Sequence, residues 1–228
     1  MAKDRGGAGG RPLAVRVRGA RRRKSSSTEW LRRQLNDPYV AAAQRDGYRS
    51  RAAFKLIQLD DRFDLLKSGD NVVDLGCAPG GWTQVALARV GPAGRVIGID
   101  LAETAPVAGA MMLRADLTEP SAPDLIKPTL GGRGADVVLS DMAPSTTGHA
   151  ATDHLRIVAL AEAAFAIAEE ILKPGGVFVA KVFQGGAEGE LLARLRHSFS
   201  QLRHAKPPAS RAESAETYVV AKGFLRGG

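Results

Sequence analysis

Short apolar runs separated by amphipathic stretches fill most of this chain, and their spacing predicts its elements. Residues 71–74, 95–100, 136–140 and 177–181 are runs of strand length rich in Val, Ile, Leu and Phe, with a weaker run at 111–114 and a last one at 217–221. Between them, 81–90, 152–172 and 188–197 read as helices. The longest carries two adjacent apolar stripes, one through Leu155, Val158, Ala161, Phe165, Ala168 and Leu172, the other through Ile157, Leu160, Ala164, Ile167 and Ile171. Lys173-Pro174-Gly175-Gly176 then stops it. Ahead of the first strand, 50–61 predicts a helix whose apolar face holds Phe54, Leu56, Ile57 and Leu59. A helical pattern also starts at Thr28, runs through Trp30, Leu31 and Leu35, and breaks at Asn36-Asp37-Pro38. Residues 1–27, rich in Gly, Arg and Ser with few large apolar side chains, predict a disordered extension.

The strands are apolar without interruption, which implies burial on both faces. Strands alternating with helices then imply an α/β fold: a doubly wound, Rossmann-like, mostly parallel sheet with helices on both faces. The domain boundary falls near residue 30, with a basic extension over 1–30 and one domain over 31–228.

Against that frame the polar positions form a second pattern. Asp74, Asp100, Asp116, Asp141 and Lys181 each stand at the C-terminal end of a predicted strand. Ligands of open α/β sheets bind in the crevice beyond those ends. A single Asp there is commonly a cap or turn residue, but five charges in register call for a ligand. The loop Asp74-Leu75-Gly76-Cys77-Ala78-Pro79-Gly80-Gly81-Trp82 joins the first strand to its helix, and its glycines permit a tight turn and close approach of backbone to a ligand. Its spacing is not that of the dinucleotide fingerprint, and no Gly-Lys-Ser/Thr follows to make it a P-loop. Asp100, after the second strand, stands where an acid can hold two ribose hydroxyls.

Composition narrows the setting. The 228 residues are 44% hydrophobic, enough for a sizeable core. Cys77 is the single cysteine, which rules out an internal disulfide and fits a reducing, cytoplasmic setting. No apolar run approaches the roughly 20 residues that span a bilayer, and the Arg-rich N-terminus has no apolar secretory core. The net charge of +8 is unevenly placed. Residues 1–33 hold eleven Lys/Arg and two acids, a net of +9, so the remainder carries −1. A basic arm on a near-neutral body commonly meets a polyanion such as nucleic acid. One Cys and the scattered His149, His154, His197 and His204 suggest no metal site.

The segment from Asp74 to Trp82 resembles the S-adenosylmethionine (SAM) loop of class I methyltransferases, and its Pro-Gly-Gly-Trp form resembles the FtsJ/RrmJ family of RNA ribose 2′-O-methyltransferases. The likeness runs from about residue 32 to 224. It implies a Rossmann-like methyltransferase fold with a seven-stranded sheet. It also implies a Lys-Asp-Lys-Glu tetrad, matched by Lys55, Asp141, Lys181 and Glu216, with Glu213 a competitor for the last place. Glu216 is preferred because it directly precedes the strand-like Tyr218-Val219-Val220. Gly76, Gly80, Trp82, Asp100, Asp116 and Asp141 would then bind the cofactor, with Asp100 on the ribose hydroxyls, Asp116 on the adenine amino group and Asp141 near the amino group of the methionine part. Within the family the form closest in kind is the bacterial one that methylates a uridine of 23S ribosomal RNA in the large subunit.

A ribose hydroxyl is a poor nucleophile at neutral pH and needs a positioned base. Lys181 is the candidate, because a strand end is a rigid platform. Lys55 would orient the hydroxyl, and Asp141 and Glu216 would hold the two amines. Cys77 reads as small packing rather than as a nucleophile. Asp141-Met142-Ala143-Pro144 lacks the aromatic that base amino-methyltransferases stack on a flipped base. RNA contacts are expected from the N-terminal extension, from Arg45, Arg49, Arg51 and Lys55, and from Arg194, Arg196, Arg203, Lys206 and Arg211. With few aromatics to stack bases, recognition by shape and phosphate is expected, by a monomer acting on structured ribosomal RNA. The competing readings are a non-catalytic ribosome-assembly factor, which should have lost a tetrad member or the glycine loop, and a methyltransferase of another RNA, such as a transfer RNA or a cap.

Overall fold

The computed structural model describes residues 31–32, 34–144, 148–183 and 189–225. Helices α1 (Pro38–Asp46) and α2 (Ala53–Phe63) precede β1 (Asn71–Leu75), α3 (Gly81–Val90), β2 (Arg95–Asp100) and β3 (Ala110–Arg114). A short helix α4 (Ala122–Ile126) with a 3-10 turn, β4 (Ala135–Ser140), α5 (Ala150–Ile171), β5 (Leu172–Phe183), α6 (Gly189–Ser198), β6 (Phe199–Ala205) and β7 (Glu216–Phe224) follow. The strands form one seven-stranded sheet in the order β3-β2-β1-β4-β5-β7-β6, parallel except for β7, which runs antiparallel to both β5 and β6. The order reverses between β1 and β4, the switch point where α/β sheets hold ligands.

The twofold alternation of side chains along each strand builds two separate cores. Val73, Leu75, Ile97, Ile99, Val138, Phe178, Ala180 and Val219 face α4, α5 and α6, where Phe165 meets Phe178 and Phe199 with ring centroids 5.5 and 6.1 Å apart. Val72, Val96, Val137, Leu139, Val177, Val179, Tyr218 and Val220 face α2 and α3. Lys181 shares the parity of Val177 and Val179, and Glu216 that of Tyr218, so both belong to the α2 face.

Several expectations are corrected. Lys173-Pro174-Gly175-Gly176 follows the end of α5 at Ile171 as expected, but the next strand starts earlier than residue 177 and includes this segment. Leu172 already pairs with Ala135, and the ladder resumes at Val177 opposite Val137, so five steps of β5 answer two of β4 and the intervening residues bulge out around Gly175 at φ +83°. The two stripes of α5 merge into one buried face, and Leu155 is 62% exposed. Asn36-Asp37-Pro38 is a helix start as well as a break: the Asp37 side chain caps α1 by accepting from the Tyr39 amide, and Gly47, at φ +77°, closes that helix. β6 escapes the hydrophobic pattern because it is an edge strand with only Phe199 and Ala205 buried. Trp30 and the N-terminal extension lie outside the described residues.

Phe165 is fully buried at the centre of the larger core. Phe165→Ala is therefore expected to lower the unfolding free energy by about 3–5 kcal/mol, measured by urea denaturation with an unchanged slope. A loss under about 1 kcal/mol would mean that this cluster is not packed as described.

Candidate active site

The antiparallel insertion of β7 assembles the charged cluster. Parallel strands point their C-terminal ends at one edge of the sheet, and only an antiparallel neighbour brings its first residues to that edge. Lys181 on β5 lies opposite Tyr218, and Phe183 opposite Glu216. The end of β4 supplies Asp141, and α2, packed over this face, supplies Lys55.

The four side chains form a ring of alternating charge. Lys55 Nζ lies 2.8 Å from Glu216 Oε1 and 3.8 Å from Asp141 Oδ1. Lys181 Nζ lies 2.8 Å from Asp141 Oδ1 and 3.8 Å from Glu216 Oε2, and it also donates to the Asp141 carbonyl at 2.9 Å. Each carboxylate thus touches both ammonium groups, and all four side chains are at most 16% exposed. Burial alone would raise both carboxyls, but the two lysines outweigh it and hold Asp141 and Glu216 below their ordinary values. Tyr218 donates its hydroxyl to Asp141 Oδ1 at 2.6 Å, and its ring lies 5.7 Å from Lys55 Nζ. Burial first, and then the neighbouring carboxylates, keep this phenol protonated by pushing it well above its ordinary value. Ser210 donates to Glu216 Oε1 at 2.7 Å. Sequence reasoning passed over Tyr218 and Ser210. Tyr218 was within reach, since residues two apart on a strand share a face and Glu216 was already singled out. Ser210 had no signal. The competitor Glu213 lies exposed in the β6–β7 loop.

Beside the cluster the loops after β1, β2 and β4 gather at the switch point of the sheet, the place where α/β folds hold ligands. Gly76 has φ +77°, and a Cβ there would come within 2.4 Å of Met142 Cγ, so the loops after β1 and β4 meet at this point only because residue 76 is glycine. Asp74 is fully buried: Oδ2 accepts from Thr83 Oγ1 at 2.7 Å, while Oδ1 has no hydrogen-bond partner. Asp100 is the last residue of β2 and accepts from the amides of Ala78 and Ala102 at 2.9 and 2.8 Å. Asp116 is exposed, two residues beyond β3, with Oδ1 accepting from the Thr118 amide and hydroxyl, and these donors hold its carboxyl below the ordinary value. The five charges are thus near, but not all at, strand ends: Asp74 lies within β1, Lys181 two residues before the end of β5, and Asp141 just past β4. Trp82 lies in the α2–α3 core, donating its indole N–H to the Ala52 carbonyl with its ring 5.7 Å from that of Tyr218. Burial pushes the Cys77 thiol up to about 12, which leaves it protonated and inert.

Many of the expected RNA-contacting cations have partners inside the fold. Arg49 donates to three backbone carbonyls. Arg51 pairs with Asp37 at 2.8 Å and donates to Ala209 O. Lys206 donates to Ala212 O and Ser214 O, and Arg194 pairs with Glu169 over the ring of Phe165. Arg211 lies 3.8 Å from Asp37, and Arg45 pairs with its neighbour Asp46. Arg196 and Arg203 lie exposed. Among the described residues no group of three or more His, Cys, Asp or Glu could hold a metal ion, and no helix is long and apolar enough to cross a membrane.

Burial, opposed by the Thr83 hydroxyl and reinforced by the Asp141 and Asp100 charges, lifts the Asp74 carboxyl to about 7. Its folded value lies above its unfolded one, so between about pH 4 and 7 the folded chain keeps a proton that the unfolded chain has lost. The contribution of this group to stability therefore falls as pH rises through that window. Asp74→Asn removes the titration, and its unfolding free energy relative to wild type should rise by about 2–4 kcal/mol from pH ~4.5 to ~8. Parallel pH profiles of the two proteins in urea would show that Asp74 ionises as an ordinary carboxyl.

The chain matches the FtsJ-like methyltransferase family over residues 48–224. It is 62% identical over 221 residues to the ribosomal RNA large subunit methyltransferase E of Paramagnetospirillum magneticum, covering 95% of this chain and 90% of that one. It is 63% identical over 209 residues to the protein of the same description from Maricaulis maris, covering 92% and 74%. A crystal structure of a ribosomal RNA methyltransferase from Plasmodium falciparum superposes with a TM-score of 0.71 at 32% identity, covering 78% of this chain and 99% of that one. By family match, identity and fold together, this chain belongs to the FtsJ-like methyltransferases.

Proposed function

We propose that this chain transfers a methyl group from S-adenosylmethionine to the 2′-hydroxyl of a uridine of 23S ribosomal RNA in the large ribosomal subunit. The observation that carries the reading is the buried ring of alternating charge made by Lys55, Glu216, Lys181 and Asp141, which adjoins a crevice suited to the cofactor. The names of the relatives, ribosomal RNA large subunit methyltransferases, support the choice of RNA.

The residues of the crevice fit the cofactor. Asp74 Oδ1 is a buried acceptor without a hydrogen-bond partner, and Gly76 and Gly80, at φ +77° and +109°, let the loop after β1 turn tightly against Met142, Val107 and Arg49. Asp100 would hold the ribose hydroxyls, Asp116 the adenine amino group, and Asp141 the amino group of the methionine part. Trp82 acts by packing, fixing α2 against Tyr218. When bound, S-adenosylmethionine supplies an electrophilic methyl group on a sulfonium.

The protein's own part is alignment and proton transfer. Lys181, anchored on β5 by the carbonyl and carboxylate of Asp141, would act as base once its ammonium has given a proton to solvent: the free amine takes the proton of the 2′-hydroxyl while the methyl group passes from sulfur to the hydroxyl oxygen. The ammonium so formed is stabilised by Asp141. Lys55, fixed by Glu216, orients the hydroxyl by donating to it. Ser210 and Tyr218 hold the two carboxylates in turn. The basic extension over residues 1–30 serves as an RNA-phosphate arm on a monomeric, cytoplasmic enzyme whose methyltransferase domain spans 31–228.

Lys181→Ala should cut methyl transfer by about 10²–10⁴-fold while cofactor binding persists. Near-normal turnover would transfer the role of base to another group. The product is tested with labelled cofactor on undermethylated large subunits, with free ribosomal RNA and transfer RNA in parallel. Label recovered in alkali-resistant dinucleotides from the large subunit is expected, whereas label in mononucleotides would mean base methylation and end the ribose reading. Deleting residues 1–27 should weaken RNA binding and lower its salt slope. An unchanged slope would assign the extension elsewhere.

A further inference from the structure

Arg49 stands apart from the other cations in the elements it joins. Its Nη1 donates to Pro79 O at 3.1 Å and to Ala105 O at 2.6 Å, and its Nη2 to Pro106 O at 2.5 Å. Pro79 belongs to the loop after β1, and Ala105 and Pro106 to the loop between β2 and β3, so one guanidinium bridges the two loops that border the crevice. The backbone of Arg49 is fixed as well. Its amide donates to Gln84 Oε1 at 2.8 Å, and Gln84 Nε2 donates to Gly47 O at 3.1 Å, which ties the segment to α3. Gly80 leaves room for the arrangement: with φ +109°, a Cβ there would come 3.1 Å from Arg49 Nη1, 3.2 Å from its Cδ and 3.0 Å from Val107. Three carbonyls in one plane-limited fork suit arginine, and the point charge of a lysine cannot bridge them in the same way.

We propose that Arg49 is the clamp of the cofactor crevice, a positioning residue that sets the spacing of the β1 and β2 loops for S-adenosylmethionine rather than a contact to RNA phosphate. The inference rests on the cofactor reading above. Asp100 ties the same two loops through the Ala78 amide, but its carboxylate is the group assigned to the cofactor ribose; Cys77 Sγ reaches Thr104 Oγ1 only at 4.0 Å, whereas Arg49 makes three hydrogen bonds to the two loops. The clamp also explains why a basic residue on the outer surface is bound to carbonyls rather than left to solvent.

The test uses the full chain with Arg49→Ala and Arg49→Lys, both at an exposed position where folding should survive, checked by circular dichroism. Calorimetry reads the affinity for S-adenosylmethionine and S-adenosylhomocysteine, initial rates separate KM for the cofactor from kcat, and titrations at several salt concentrations read RNA binding. Both variants should bind either compound about tenfold or more weakly. KM for the cofactor should rise in step, kcat at saturating cofactor should stay within about twofold, and the RNA salt slope should not change. The proposal is overturned if both variants keep the cofactor affinity of the wild type. It is equally overturned if Arg49→Lys behaves as wild type while Arg49→Ala loses about one from the salt slope, the mark of a phosphate contact. A wild-type chain that binds neither compound would instead remove the cofactor reading itself, and the clamp with it.

Discussion

Four charges buried together are the constraint on which the rest of this structure depends. An ammonium or carboxylate taken out of water costs several kcal/mol unless partners replace its hydration. Here the cost is met by alternation: each lysine faces two carboxylates and each carboxylate two lysines, within 3.8 Å. Remaining acceptor positions take the hydroxyls of Tyr218 and Ser210. Removing any one member would leave the others unbalanced, so the cluster is a unit and not four independent residues. The fold delivers each member from a different element: α2, the end of β4, β5 and the start of β7. That is why the antiparallel seventh strand is part of the site and not an ornament on its edge.

Asp74 belongs to the neighbouring crevice and obeys the opposite logic. Among the described residues no ion pair reaches it; one oxygen accepts from Thr83, and the other has no hydrogen-bond partner. The negative fields of Asp141 and Asp100 add to its burial, and a proton is its simplest counter-ion. A charge-balanced cluster and a charge-deficient crevice therefore lie side by side, divided by Asp141. A cationic ligand is suited to the second and redundant in the first, which agrees with the separate roles proposed for them.

How much of this was legible in the sequence depended on what kind of signal each residue sends. The central strands were plain, because burial on both faces makes them continuously apolar. β6 was hidden because an edge strand needs only one or two buried positions, here Phe199 and Ala205. α1 is hidden because Asn36-Asp37-Pro38 reads as an ending, although an Asp cap followed by Pro at the first turn is also a beginning. Lys55, Asp141, Lys181 and Glu216 could be singled out because a motif records them whatever their distance in sequence, and the fold brings these four side chains together. Ser210, the placement of Trp82 and the Arg49 clamp needed coordinates. A Trp after a glycine loop can point to a ligand or to the core, and only its bond to Ala52 O puts it in the second.

The basic residues show the same limit from the side of charge. Counting Arg45, Arg49, Arg51 and Lys55 as a patch treats them as equivalent, yet Arg45 pairs locally, Arg49 holds two loops, Arg51 joins Asp37 to the β6–β7 loop, and Lys55 enters the cluster. Ser50, between them, closes on α3 so tightly that a Cβ at Gly81 would lie 2.4 Å from its Oγ. A single stretch of chain from Gly47 to Lys55 thus sets both the spacing of the crevice loops and the place of a lysine in the cluster. A displacement of that stretch would disturb both at once. Coupling between the crevice and the cluster accordingly follows from covalent continuity, and no long chain of contacts is needed to carry it.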